Sequence, residues 1–162
     1  MPLVKASMKS DFRALFDSKP KDRPELAKKW AAAYDSYASL AITGNGGSVI
    51  AAGKKSALES VLLATLSTPI GIPAAVAAAW GSGLLAYWGG TPFTPGAVPN
   101  PPFTLPGVAA PPTGIAALIP VLTALYLAKN SEDDFADQQA TALDTCTKTV
   151  IVLFGAVPQP VQ

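Results

Sequence analysis

The stretch that decides the fold is PAAVAAAWGSGLLAYW, residues 73–88, which is apolar on nearly every side. Val76, Trp80, Leu84 and Tyr87 recur at helical spacing, so the pattern predicts a helix. Its two glycines each weaken a helix by up to about 1 kcal/mol unless close packing compensates. A helix that is apolar all round is normally buried on all sides or lies in a membrane. The rest of the chain, a partner or lipid must therefore cover it.

This helix lies inside a long uncharged segment, which runs from Ser60 to Ala128. The 162-residue chain carries 12 Lys and Arg against 11 Asp and Glu, a net charge of +1. A soluble domain normally has about a quarter of its residues charged, spread over its surface. We therefore expect other protein to cover the uncharged middle, with lipid as the alternative.

The two ends of the chain carry opposite net charge. Residues 1–59 hold ten basic and six acidic residues, a balance of +4. Residues 129–162 hold two basic and five acidic residues, a balance of −3. We expect these opposed charges to help orient adjacent copies head to tail, although exposed pairs add little affinity.

Towards the N-terminus the pattern predicts three more helices. Residues 10–17 form a short helix capped by Ser10, and 49–67 form another whose clearest half begins at Ser56. Between them, the helix over 25–43 has Pro24 before it and Gly44 as its stop. Its apolar residues fall on one face: Leu26, Trp30, Ala33, Tyr34, Tyr37 and Ala41.

Towards the C-terminus two helices and a strand are predicted. A helix covers 114–129, with Pro120 either starting or kinking it, and a second covers 132–147 with Ser131 as its cap. The β-branched run 149–154 predicts a strand, followed by a proline-containing tail. A lone strand cannot satisfy its backbone, so it pairs either with the long loop or with another chain.

The segment 89–113 contains eight of the 16 prolines and four glycines. This composition predicts neither a helix nor a ladder strand. It is consistent with a flexible loop or with an extended, partly polyproline arm laid across its own domain or a neighbour, and we favour the arm. The predicted fold is mainly α: one domain over 1–162, an Ala-rich bundle of about five helices with this arm and a short C-terminal strand.

No catalytic motif is predicted. The run GNGGSVIAAGKKS, residues 44–56, resembles a phosphate-binding loop, but Ser48 stands where the motif needs its first glycine and Lys55 stands where it needs Ser or Thr. A connection between helices explains these glycines better. The chain has no histidine, and its single cysteine, Cys146, is more typical of a small buried apolar residue than of a nucleophile.

We expect neither a metal ion, a cofactor nor a small-molecule substrate. The acidic residues 132–134 suit the positive end of a helix dipole and point in different directions. The basic residues of 19–29 are interspersed with acidic ones, which favours a solvated face over direct nucleic-acid binding. The protein is therefore predicted not to be an enzyme.

Three segments carry a resemblance: ELAKKWAAAYDSYA (25–38), AAVAAAWGSGLLAYW (74–88) and ALDTCTKTVIVLF (142–154). Together they resemble a group of small proteins encoded among the structural genes of tailed bacteriophages. The resemblance implies a non-enzymatic virion protein, repeated in a symmetric ring of the neck, tail or baseplate region. It implies contacts with other virion proteins and with copies of itself.

We predict that partners are contacted through the uncharged middle, the loop 89–113 and the C-terminal strand. The predicted contact residues are Trp80, Tyr87, Trp88, Phe93, Phe103, Val150 and Val152. The alternative function is a small holin-like protein that inserts 69–88 and 114–128 into a membrane as a hairpin. Prolines and glycines interrupt both segments, whereas a span needs about 20 continuous apolar residues.

Overall fold

A computed structural model of the chain describes residues 3–51, 54–67, 72–96 and 105–162. Within these residues it has six α-helices and four short β-strands. The helices are α1 (Lys5–Asp17), α2 (Arg23–Ala38), α3 (Lys54–Leu66), α4 (Pro73–Trp88), α5 (Ile115–Leu127) and α6 (Glu132–Thr147). The strands are β1 (Pro92–Phe93), β2 (Gly107–Ala109), β3 (Ile151–Phe154) and β4 (Val157–Pro160). The mainly α fold predicted from the sequence is confirmed.

Two predicted helix starts are confirmed by their caps. The side chain of Asp22 accepts a hydrogen bond of 2.8 Å from the Glu25 amide, and Pro24 lies in the first turn of α2. Ser131 accepts one of 3.2 Å from the Asp134 amide and caps α6. Such bonds satisfy amides that have no partner inside the helix. Pro120 lies inside α5.

Three other predicted boundaries are wrong. The first helix begins at Lys5 rather than at residue 10, because Met8 extends the buried face. The helix α2 ends at Ala38 rather than at residue 43, because a turn at 39–40 leads to Ile42 and Thr43, which pair as extended chain. The helix α3 begins at Lys54, and Val49, predicted as its first residue, pairs instead with Phe93.

The six helices form a closed ring in which each packs mainly against its neighbours in the chain and α6 returns to α1. Aromatic side chains fill the centre. The ring of Trp80 lies 5.8 Å from that of Trp30, 6.0 Å from that of Tyr34 and 6.3 Å from that of Phe12, between centroids. The helix that the sequence marks as apolar all round is therefore covered largely by its own chain.

The glycines of α4 permit this close packing. A Cβ atom at Gly83 would overlap Cδ1 of Leu58 on α3. A Cβ at Gly81 would lie 3.0 Å from Ile115 Cγ2 and 3.3 Å from Ile119 Cδ1 of α5. Residues that weaken an isolated helix thus let α4 approach both of its neighbours.

The four strands form one antiparallel sheet in the order β1-β2-β3-β4. The prediction that no ladder strand runs through 89–113 is wrong, because β1 and β2 both lie there. They are two and three residues long, so they fit between the prolines, and Pro92 stands at the first position of its strand. The predicted strand β3 pairs within the chain, with β2 on one side and β4 on the other.

Residues of the GNGG region close this sheet into a small ring. Val161 pairs with Thr43, Ile42 with Ser48, and Val49 with Phe93 of β1. The ring of Phe154 fills the interior, where a Cβ at Gly47 or at Gly107 would lie 2.8 Å and 2.7 Å from its Cζ atom. The glycines therefore belong to a turn in a sheet, which refines the predicted connection between helices.

Candidate interaction surface

The structure places the predicted contact residues in the interior. Six of them have no accessible surface: Trp80, Tyr87, Trp88, Phe93, Val150 and Val152. Phe103 lies outside the described residues. Burying a large apolar side chain in the core of its own chain stabilises the fold, because its surface is removed from water. Here the helical ring and the sheet bury these side chains. The exposed surface available to a partner is built from other, mostly smaller, residues.

One exposed apolar surface is formed by the outer sides of α4 and α5, and we call it the α4–α5 face. It consists of Ala74, Ala78, Ser82 and Leu85 of α4 with Ala116, Pro120, Ala124 and Leu127 of α5. Leu85 is 46% exposed and Leu127 is 69% exposed. Ser82 is the only polar side chain in this set, and none is charged.

A second exposed apolar surface crosses the sheet, and we call it the sheet patch. The strand register places Pro92 opposite Val108, Val108 opposite Leu153, and Leu153 opposite Pro158, so the four form a row across all the strands. Residues directly opposite each other in antiparallel strands lie on the same face. Leu105, just before β2, is exposed beside this row.

The charged residues lie on other parts of the molecule, and many of them pair within the chain. Across α1 and α6, Arg13 contacts Glu132 at 2.8 Å, Lys9 contacts Asp133 at 3.2 Å, and Lys5 contacts Asp137 at 3.6 Å. The hydrogen bond from Lys9 to Asp133 raises the pKa of Lys9. Part of the opposed charge of the two ends is thus paired within one chain, and the predicted role in orienting neighbouring copies stays a prediction.

A groove of about 540 Å³ separates α5 from α6 next to the α4–α5 face. Its α5 wall is apolar and includes Ala117, Leu118 and Val121, whereas α6 contributes the polar side chains of Thr141 and Thr145. A groove of this size is within the range of small-molecule sites. Its threonines bond back to their own helix, Thr141 to the carbonyl of Asp137 and Thr145 to that of Thr141.

Buried tyrosine hydroxyls connect α2 with α4 and α6. Tyr37 donates to the Asp144 carboxylate at 2.6 Å, and Lys148 donates to its other oxygen at 2.8 Å. The indole of Trp88 donates to the Tyr34 hydroxyl at 2.7 Å. Burial, followed by the bond to Asp144, raises the pKa of Tyr37, so its hydroxyl stays a donor. Each of these groups is satisfied by a partner in the core, which is the arrangement of a structural network.

The single cysteine, Cys146, lies at the groove between α5 and α6. Cys146 is buried, and its burial raises the pKa of the thiol to about 11, so it is protonated at neutral pH.

Within the described parts of the chain, no three His, Cys, Asp or Glu side chains are grouped in a way that would hold a metal ion. Among the same residues, no helix has both the length and the apolar character needed to cross a membrane.

The sequence contained a signal for both exposed surfaces, which was the absence of charge between Glu59 and Lys129 and after Lys148. That signal does not separate buried from exposed residues, because both are apolar here. Comparison with protein-family models, curated proteins and solved structures found no match to the chain.

Proposed function

We propose that the protein is a non-enzymatic structural component of a tailed-bacteriophage particle, which packs in a symmetric ring against copies of itself and other virion proteins. The observation that carries the proposal is the presence of two exposed, uncharged apolar surfaces, the α4–α5 face and the sheet patch. Contiguous apolar patches larger than a few hundred Å² are rare on proteins that act alone in water. The resemblance of three segments to small phage structural proteins points to a virion as the assembly.

The energetics favour repeated contacts over a single one. Each 100 Å² of buried apolar surface contributes about 2.5 kcal/mol, whereas association costs roughly 4–15 kcal/mol. One modest contact per copy is therefore weak. In a closed ring every copy makes two contacts, so the contacts support one another through a high effective concentration.

Mass spectrometry of purified particles from cells that carry the gene tests this proposal. We expect the protein in particles of constant composition, at a fixed number of copies per particle. A phage-encoded replication enzyme is the control, because it remains in the lysate. The proposal is wrong if the protein is abundant in the lysate and absent from the particles.

The uncharged α4–α5 face also suits contact with lipid, so the holin-like alternative has a test of its own. A membrane-inserted protein pellets with membranes and resists extraction by alkaline carbonate. A particle component is recovered with particles and is released from membranes by the same treatment. The two functions therefore give opposite distributions in one fractionation.

A further inference from the structure

We infer that the α4–α5 face of one copy docks on the sheet patch of the next copy, so that identical chains join head to tail. The inference rests on the proposed assembly function, and it specifies which two surfaces of neighbouring copies are in contact. It assigns the occupant of both exposed apolar surfaces as a second copy of this chain.

Charge favours this pairing. Burying an unpaired charge costs several kcal/mol, so a partner for the α4–α5 face must itself be uncharged where it docks. The sheet patch meets this requirement, because β1 and β2 lie in the uncharged middle and no charged side chain follows Lys148. The charged residues of α1, α2 and α6 remain in water.

Two different surfaces on one chain favour a head-to-tail contact over a two-fold one. A two-fold contact joins a surface to its own copy, so it would cover the α4–α5 face and leave Val108 and Leu153 exposed. A head-to-tail contact covers one surface of each kind per copy. It repeats from copy to copy, and it closes into a ring when the rotation between copies allows.

The sheet offers its face to a partner, while its edges are occupied or blocked. Next to β4, the Gln162 amide donates to the carbonyl of Ile42 at 2.8 Å, and Pro158 and Pro160 have no amide hydrogen to offer. At the other edge, the Ile50 amide donates to the Pro92 carbonyl of β1 at 2.8 Å. Copies therefore do not join by adding strands to one another, and side chains of the sheet patch make the contact.

The two surfaces have extents of the same order. Helices of 16 and 13 residues are about 24 Å and 20 Å long at a rise of ~1.5 Å per residue, and two packed helices lie about 8–10 Å apart. Four strands about 4.8 Å apart span about 14 Å between the outer two.

Blocking one surface at a time tests the inference. Leu85→Lys places a charge on the α4–α5 face, and Leu153→Lys places one on the sheet patch. Sedimentation velocity should show that the wild-type chain associates and that each variant alone is monomeric. An equimolar mixture should form a dimer and nothing larger, because each variant keeps the surface that the other has lost. We expect the mixture to bind at least tenfold more tightly than either variant binds itself.

The control is Ser36→Lys, which adds a charge to an exposed position of α2 and should leave association unchanged. Circular dichroism and melting temperature establish that every variant is folded. The inference fails if the wild-type chain stays monomeric at several hundred micromolar. It also fails if Leu153→Lys still self-associates, which indicates a two-fold contact through the helices, or if the mixed variants do not bind each other.

A further arm distinguishes lipid from protein as the occupant. If the wild-type chain floats with uncharged phosphatidylcholine vesicles, Leu85→Lys does not, and no self-association occurs, then the face binds lipid and the inference is wrong. A monomer in solution that is nevertheless present in virions overturns the inference and leaves the proposed function standing. If the chain assembles in solution but is absent from virions, the inference stands and the proposed function is wrong.

Discussion

At the scale of single residues, the glycines of α4 show how a local weakness serves the packing of the whole. Helix propensity alone would favour alanine at Gly83 by about 1 kcal/mol. The structure leaves no room for it, because a Cβ atom would overlap the buried Leu58. Overpacking of a filled core typically costs about 1–3 kcal/mol, so packing outweighs propensity at this position.

We therefore expect Gly83→Ala to lower the free energy of unfolding by up to about 2 kcal/mol, measured by denaturant titration. Ser82→Ala is the matched control, because Ser82 precedes Gly83 in the same helix and is exposed. Alanine there raises the helix propensity without a steric clash. Its effect should stay within about 0.5 kcal/mol. Equal or greater stability of Gly83→Ala would show that α3 moves aside without cost.

At the scale of elements, α1 is held by an apolar face and an ionic one. Met8, Phe12 and Leu15 are buried, while Arg13 reaches Glu132 of α6. The apolar face stabilises the helix, and the exposed ion pairs contribute little individually. Because Lys9 has a raised pKa, its contribution is present at neutral pH and is lost only as pH rises above the ordinary value of 10.5, through the higher folded value.

A double-mutant cycle measures the ionic contribution. With Arg13→Ala and Glu132→Ala, we expect a coupling free energy of about 0.2–1 kcal/mol at low salt. In 1 M salt, where the screening length is about 3 Å, the coupling should approach zero. The control cycle combines Lys55→Ala with Glu132→Ala, on helices that are not neighbours in the ring, and should show no coupling. A coupling that survives high salt would mean that the pair is desolvated.

At the scale of the whole molecule, a ring of six helices and a small ring of strands share one core. The two meet where α4 runs into β1, and there the rings of Trp88 and Phe93 stack with centroids 6.4 Å apart. The long proline-rich segment is therefore no appendage, because its two ends supply strands and core residues. Deleting this segment is therefore expected to affect folding as well as assembly.

Deleting residues 91–112 should abolish cooperative thermal unfolding, because it removes β1 and β2 and with them the buried side chains of Phe93 and Ala109. Near-ultraviolet circular dichroism and calorimetry measure the loss of fixed packing. The single exposed change Val108→Thr is the control and should leave cooperative unfolding in place. A soluble, cooperatively folding deletion variant would show that the helical ring is stable without the sheet.

The sequence alone determined the helical class, the cap Ser131 and the existence of β3, because these features depend on local spacing and local hydrogen bonds. It also located the uncharged middle. It did not reveal β1, β2 or β4, since strands of two to four residues that contain proline or lie close to prolines have no local signature and form only through pairing.

Only the tertiary structure decided which apolar residues are buried and which are exposed. Trp80 and Val121 are both apolar and uncharged, and both lie on helices of the middle segment. One lies at the centre of the ring and the other on its outer side, and that difference depends on how six helices close around the aromatic core. Hydrophobicity is a property of a side chain, whereas burial is a property of the chain's path in space.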